Sequence, residues 1–242
     1  MKYNPFTGLS KYVRAMGLVS FWNDLSSDMI FPYIPIFLTQ TLGASVSFVG
    51  LVEGIADATA ALFKFLSGRY SDRIHRRKPF VLFGYSLSAL SKPLLALAAA
   101  PWHVLGVRFL DRVGKGVRDA PRDALLRFST DRENLGRAFG FHRAADTLGA
   151  TLGPLVAFAV LPLIGGNLRT LFLLSFVASA VAVITVFFGV REVPDQFTRD
   201  GVAPSPKVPW RVLDGRFLVF VSAATVFALG KSYEAFLLLR AR

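Results

Sequence analysis

Seven stretches of this chain are long and apolar enough to cross a bilayer, and the segments joining them alternate between strongly basic and almost uncharged. A hydrocarbon core of roughly 30 Å takes about 20 helical residues to span. The candidates are Ala15–Leu38, Val46–Leu66, Phe80–Ala100, Val104–Leu125, Ala138–Leu161, Thr170–Val190 and Phe217–Leu239. Within lipid each backbone N–H and C=O must be satisfied inside the segment, which makes runs of this length helices. The fourth is the least clean, because Arg108, Asp111, Arg112, Lys115, Arg118 and Asp119 crowd it. It is retained because the alternation of the connections needs a crossing there.

The basic connections set an orientation. Gly68 to Lys78 carries Arg69, Arg73, Arg76, Arg77 and Lys78. Ala120 to Arg137 carries Arg122, Arg127, Arg132 and Arg137, and Glu192 to Arg216 carries Arg199, Lys207, Arg211 and Arg216. Thr39–Ser47 and Ala98–His103 hold no Lys, Arg, Asp or Glu, and Pro162–Arg169 holds only Arg169. Basic loops stay cytoplasmic, so the N-terminus is expected inside. The net charge of +12, from 28 basic minus 16 acidic residues, would suggest nucleic acid in a soluble domain. Here it belongs to those connections. Only 18% of residues are charged and 53% are hydrophobic, against about 25% charged in a soluble domain.

Several chemistries are excluded. There is no cysteine, hence no disulfide, thiolate ligand or Cys nucleophile. His75, His103 and His142 are too scattered for metal-ligand spacing. Gly114-Lys115-Gly116 lacks the spacing of a phosphate loop. No nucleophile–base set marks an enzyme, and nothing calls for a cofactor. Met1–Ser10 lacks the features of a signal peptide.

A faint internal repeat is present. Phe21-Trp22-Asn23-Asp24 aligns with Phe109-Leu110-Asp111-Arg112 at an offset of 88, and Glu53, Ala56 and Asp57 with His142, Ala145 and Asp146 at an offset of 89. It pairs helix one with four and helix two with five, which run oppositely through the membrane. That is an inverted three-plus-three arrangement.

The motif Gly68-Arg69-Tyr70-Ser71-Asp72-Arg73-Ile74-His75-Arg76-Arg77-Lys78-Pro79 resembles the signature loop of the major facilitator superfamily, with His75 where that family usually has Gly. Gly68 suits close helix packing, Asp72 is expected to accept backbone N–H bonds at a helix N-terminus, and the basic run holds the loop at an anionic leaflet. Arg108-Phe109-Leu110 is similar to the family's Arg-bearing motif in helix four. Gly149-Ala150-Thr151-Leu152-Gly153-Pro154 is similar to the helix-five motif of drug–proton antiporters. Small residues there permit close packing, and Pro154 permits a kink.

The resemblance, over about residues 15 to 239, implies an all-α integral membrane protein: an MFS-type six-helix bundle with inverted 3+3 repeat, plus one further helix. The expected domains are 1–190 for the bundle, 191–212 for a cytoplasmic linker and 213–242 for a seventh helix opening a second bundle. It implies a multi-pass protein of the plasma membrane, with signature-loop gating by Gly68, Asp72, Arg73, Arg76 and Arg77 and helix-five packing by Gly149, Gly153 and Pro154. It also implies secondary transport of a small molecule by alternating access, as proton-coupled efflux. Expected partners are the lipid bilayer, a small-molecule substrate, protons, and a missing C-terminal bundle or second copy. The alternative is a half-size chain without transport of its own. The family has two such bundles with the substrate site between them, so the chain is expected not to be self-sufficient.

Ionisable residues at membrane depth are the site candidates. Asp24 and Asp28 share one face of helix one, Glu53 and Asp57 of helix two, and Arg108 and Arg112 of helix four, with Asp146 in helix five. Each such charge costs at least about 2.5–3.5 kcal/mol at the centre of a lone helix. They should therefore face one another or a wet cavity. Arg112 is expected within salt-bridge reach of Asp24, Asp28, Glu53 or Asp57. The acids are either proton carriers or static partners that fix helix packing, and both readings stand at this point.

Loops near Arg73 and Arg132 should be cytoplasmic, and those near Ala44 and Pro101 external. The cysteine-free chain makes single-cysteine labelling clean. A cysteine at Ser71 should resist impermeant reagents in intact cells, and outside labelling would refute the topology.

Overall fold

The computed structural model describes residues 9–193 and 214–230. Six long helices fill the first part: α1 (Lys11–Ile30), α2 (Val46–Ile74), α3 (Lys78–Ala96), α4 (Pro101–Phe128), α5 (Leu135–Val160) and α6 (Leu168–Gly189). A seventh, α7 (Gly215–Gly230), belongs to a separate compact unit, Asp195–Arg242, while the six belong to Met1–Pro194. The described residues contain no strand. The expected linker lies largely outside the described residues, as does the expected seventh helix beyond Gly230.

Local chemistry explains the starts. Ser10 and Ser45 cap α1 and α2 by accepting from Val13 N–H at 3.3 Å and Phe48 N–H at 3.2 Å. Asn167 accepts from the N–H groups of Arg169 and Thr170 to cap α6. Pro79 and Pro101 occupy the first turns of α3 and α4, where the missing N–H costs nothing.

Two expected boundaries shift. The first span does not run unbroken to Leu38. After Ile30 the chain forms a 3₁₀ turn (Phe31–Tyr33), one α turn (Ile34–Ile36) and a π turn (Phe37–Thr41). Pro32 and Pro35 lack the N–H groups that would bond to the carbonyls of Asp28 and Phe31, so the regular ladder ends there. The second helix extends past Leu66 to Ile74. Gly68, Asp72 and Arg73 are therefore helical rather than in a loop, and Ser71 is buried. His75, exposed at the turn, is the better labelling position.

Packing reveals the repeat directly. α1 lies against α5 and α6, α4 lies against α2 and α3, and α3 touches α6. This set of pairs is unchanged when α1 is exchanged with α4, α2 with α5, and α3 with α6. The six helices are thus two copies of one three-helix arrangement, as the offsets of 88 and 89 suggested. A core of Val13, Met16, Val19, Val81, Tyr85, Leu125, Leu126 and Val186 joins α1, α3, α4 and α6 near the basic-loop end. The outer surface is apolar: Phe158, Leu163 and Phe188 are each more than 75% exposed, which suits lipid and not water.

Glycines set the closest approaches. A methyl at Gly149 would collide with the Phe21 carbonyl oxygen, and one at Gly153 would lie 2.7 Å from Met29 N, so both hold α5 against α1. In the other copy, a methyl at Gly116 would lie 2.6 Å from the Ala60 carbonyl oxygen, where α4 meets α2. Gly84 and Gly114 meet where α3 crosses α4. Pro154, buried among these contacts only in part, sits one residue past Gly153 inside α5.

Gly149→Ala should lower thermal stability in detergent by about 1–3 kcal/mol, the cost of overpacking. Gly54→Ala, in open space on α2, should be neutral or stabilising by up to about 1 kcal/mol from helix propensity. Equal melting shifts for the two would refute the assigned α1–α5 contact.

Candidate functional site

The charges of α4 recur every three or four residues, so Arg108, Asp111, Arg112 and Lys115 line one side of that helix. The Gly84–Gly114 crossing brings Ser88, Ser91 and Lys92 of α3 to the same place. Asp111 is the hub. It pairs with Lys92 at 3.6 Å, Arg108 at 3.5 Å and Arg112 at 3.6 Å, and accepts the Ser91 hydroxyl at 3.5 Å. Arg108 also donates to Glu53 of α2 at 2.6 Å, with both side chains buried, and its guanidinium lies 5.6 Å from the Phe31 ring. Lys92 reaches Ser27 of α1 at 3.3 Å. Two turns past Asp111, Arg118 donates to Ser88 at 2.6 Å and stacks on Tyr85. Four helices are thereby joined through one buried polar network.

This corrects the expected pairing of Arg112. Its ion pair is with Asp111 on its own helix, while Arg108, one turn earlier, crosses to Glu53. The side chain one turn nearer the start of α4 is the one level with Glu53: α2 and α4 run in the same direction, and further along them Ala60 meets Gly116 and Gly68 meets Ala120. Asp28 does lie within electrostatic reach of Arg112 and Lys115.

A second cluster joins α1 and α5. Ser20 donates to Asp146 at 2.6 Å and Arg143 donates to its other oxygen at 2.9 Å. Asn23 donates to Asp24 at 2.8 Å. Asp24 follows Ser20 by one turn of α1. Asp57 is apart from both clusters, on an exposed face of α2, with no ion pair to a described residue. Asp111 was not among the residues singled out from sequence. Its spacing of three from Arg108 was the available signal.

The signature segment forms a third node. The backbone N–H groups of Arg77 and Lys78 each donate to Glu192 at 2.8 Å. Glu192, beyond α6, therefore takes the role expected of Asp72 at the α3 N-terminus. Asp72 is still within α2, exposed, and accepts from Arg77 at 3.3 Å instead. The Arg77 guanidinium packs 4.5 Å from the Phe128 ring, and Lys78 donates to the Phe187 carbonyl at 2.9 Å. α2, α3, α4 and α6 are tied together at this end. His75 takes the left-handed conformation, φ 52°, at the end of α2. A glycine would adopt it without the penalty of about 1–2 kcal/mol that a side chain incurs. Arg73 and Arg76 are exposed.

An inverted-repeat helical bundle with an apolar outer surface and ion pairs at its centre defines an α-helical membrane protein of the transporter type. The chain belongs to the Major Facilitator Superfamily, whose pattern it matches over residues 16–239. It is 34% identical over 238 residues to an MFS-type transporter of Methanocaldococcus jannaschii, covering 97% of this chain and 57% of that one. It is 28% identical over 198 residues to the multidrug resistance protein MdtH of Proteus mirabilis, covering 81% and 48%. Among solved structures, a POT family transporter in complex with a thioalcohol-conjugated peptide superposes with a TM-score of 0.68 at 14% identity, covering 93% of this chain and 49% of that one. An inward-facing bacterial homologue of the human lysosomal transporter Spinster gives 0.66 at 17% identity, covering 83% and 46%. The chain thus spans about half the length of the relatives it matches.

Asp111→Asn removes the shared counter-charge of two buried cations, Lys92 and Arg108, and of the half-buried Arg112, and should destabilise the bundle by about 3–5 kcal/mol. Adding Lys92→Met should recover part of that loss. Thermal unfolding in detergent measures both, and a double variant no better than the single one would refute the hub assignment.

Proposed function

We propose that this chain forms the N-terminal bundle of a secondary transporter that expels a small molecule in exchange for protons by alternating access. The observation that carries this reading is the set of ionisable side chains at membrane depth on α1, α2, α4 and α5, in a chain of this family. Such groups are costly in lipid and mark substrate or ion pathways. The multidrug name of the MdtH relatives supports efflux. Membership of this family points to transport rather than catalysis.

In this reading residues 1–190 form the bundle, 191–212 a cytoplasmic linker and 213–242 the opening of a second bundle. The protein is multi-pass in the plasma membrane, with its N-terminus and basic loops cytoplasmic. Asp24, Asp28, Glu53, Asp57, Arg108, Arg112 and Asp146 are the proton-coupling and cavity residues. Gly68, Asp72, Arg73, Arg76 and Arg77 act in gating at the cytoplasmic end. The chain spans about half of its relatives, which favours completion of the cavity by a further bundle or a second copy.

Proteoliposomes holding the chain, loaded with candidate drugs and given an imposed pH gradient, test this. Efflux should follow the gradient and collapse with a protonophore. Asp24→Asn and Asp57→Asn should reduce that flux more than they reduce expression. Flux indifferent to the protonophore would overturn proton coupling. Saturable flux from demonstrably monomeric chain would overturn the need for a partner bundle.

A further inference from the structure

Arg69 and Arg73 stand four residues apart on one face of α2, and both are exposed. Asp72, the acid beside them in sequence, is engaged by Arg77 at 3.3 Å. Neither Arg69 nor Arg73 makes an ion pair or hydrogen bond with a described residue. Like charges at this spacing repel, so this face of α2 is short of an anion.

The two arginines form the charged end of a surface groove of about 370 Å³ where α2, α3 and α4 meet. Phe63 and Leu66 of α2, Phe80 of α3 and Val117 of α4 line its apolar part. Tyr70 closes one side, its ring edge-to-face with Phe80 at 5.9 Å. The floor is firm, because the Ser67 hydroxyl donates to the Gly116 carbonyl at 3.0 Å and Gly68 lies close against Ala120. From Phe63 to Arg73 the helix rises about 15 Å, half of a hydrocarbon core of roughly 30 Å. The groove is therefore apolar toward the bilayer centre and cationic at headgroup level, at the basic-loop end. A second surface groove gives the contrast. It has about 560 Å³, lies between α3 and α4 at the bare-loop end, and is lined by Leu97, Trp102, Val107 and Phe109 among others. No described lysine or arginine lines it.

We propose that the groove between α2, α3 and α4 binds one anionic phospholipid of the leaflet at the basic-loop end. Its phosphate sits between Arg69 and Arg73, and one acyl chain lies along Phe63, Leu66 and Val117. The planar fork of a guanidinium meets phosphate oxygens in pairs, and an anion between two such forks turns their repulsion into attraction. An uncharged lipid leaves the arginines unmatched. A free phosphate shares the headgroup chemistry but leaves the apolar half of the groove uncovered. The site depends on the bundle lying in a membrane and not on proton coupling, so it stands or falls separately from the transport reading.

Native mass spectrometry of the 242-residue chain in detergent, titrated with phosphatidylglycerol or with phosphatidylcholine of the same acyl chains, tests this. One phosphatidylglycerol should be retained at a lipid concentration about tenfold or more below that needed for phosphatidylcholine. The double substitution Arg69→Gln with Arg73→Gln should abolish that preference. Arg132→Gln with Arg137→Gln removes the same charge from exposed positions outside the groove and should keep it. Millimolar inorganic phosphate should not displace the bound lipid. Equal retention of the two lipids by the unmodified chain overturns the site, and that comparison decides whether or not a variant folds. Loss of the preference in the Arg132 and Arg137 variant as well shows diffuse attraction to basic loops and overturns the groove. Displacement by inorganic phosphate overturns the lipid in favour of a free anion. Circular dichroism checks that each variant is helical.

Discussion

A charge buried in this bundle must find its counter-charge within the bundle, because lipid offers none. That requirement governs how the six helices sit. Glu53 of α2 meets Arg108 of α4 at 2.6 Å, and Lys92 of α3 meets Asp111 of α4 at 3.6 Å. A carboxylate is short, so such pairs form only where backbones come close. Gly84, Gly114 and Gly116 allow that approach. Without the glycines the ions would be stranded, and without the ions the glycine contacts would hold the helices by dispersion alone.

The scaffold is symmetric, and the chemistry placed on it is not. Exchange of the two three-helix halves preserves which helices touch. Yet the α2–α4 joint carries an acid and a base, while the α1–α5 joint carries two acids, a serine and a histidine. An acid–base pair is complete as it stands. One fold unit used twice thus carries two different sets of polar groups.

Much of this was legible in the sequence because the membrane leaves few options. Span length, basic alternation and the repeat gave the six helices, their order and their inverted relation. Boundaries were less legible. Leu66 looked like the end of the second helix because apolar character stops there, but α2 continues as a polar rod to Ile74, with no glycine or proline to stop it between Gly68 and His75. Partner choice was also hidden. Arg108 and Arg112 differ by one turn, and only the relative height of α2 against α4 decides which of them reaches Glu53. Glu192 was invisible as a cap because it lies more than 100 residues from the N–H groups it accepts. The same holds for Ser20 and Asp146, which are 126 residues apart.

The broken end of α1 has a mechanical consequence. From Phe31 to Thr41 the chain changes from 3₁₀ to α to π winding within eleven residues, and the Thr39 hydroxyl donates to the Pro35 carbonyl at 2.9 Å. In a continuous helix, bending strains a ladder of bonds in series. Here Pro32 and Pro35 have already removed the rungs on which that stiffness would depend. Deflection of this tip leaves the ladder from Lys11 to Ile30 intact, along with the contacts of Ser20, Asp24 and the Gly149 crossing. The far end of α1 is therefore joined to its regular shaft by a less stiff backbone, and it is held in place by the packing of Ile34, Phe37 and Leu38 rather than by a continuous ladder.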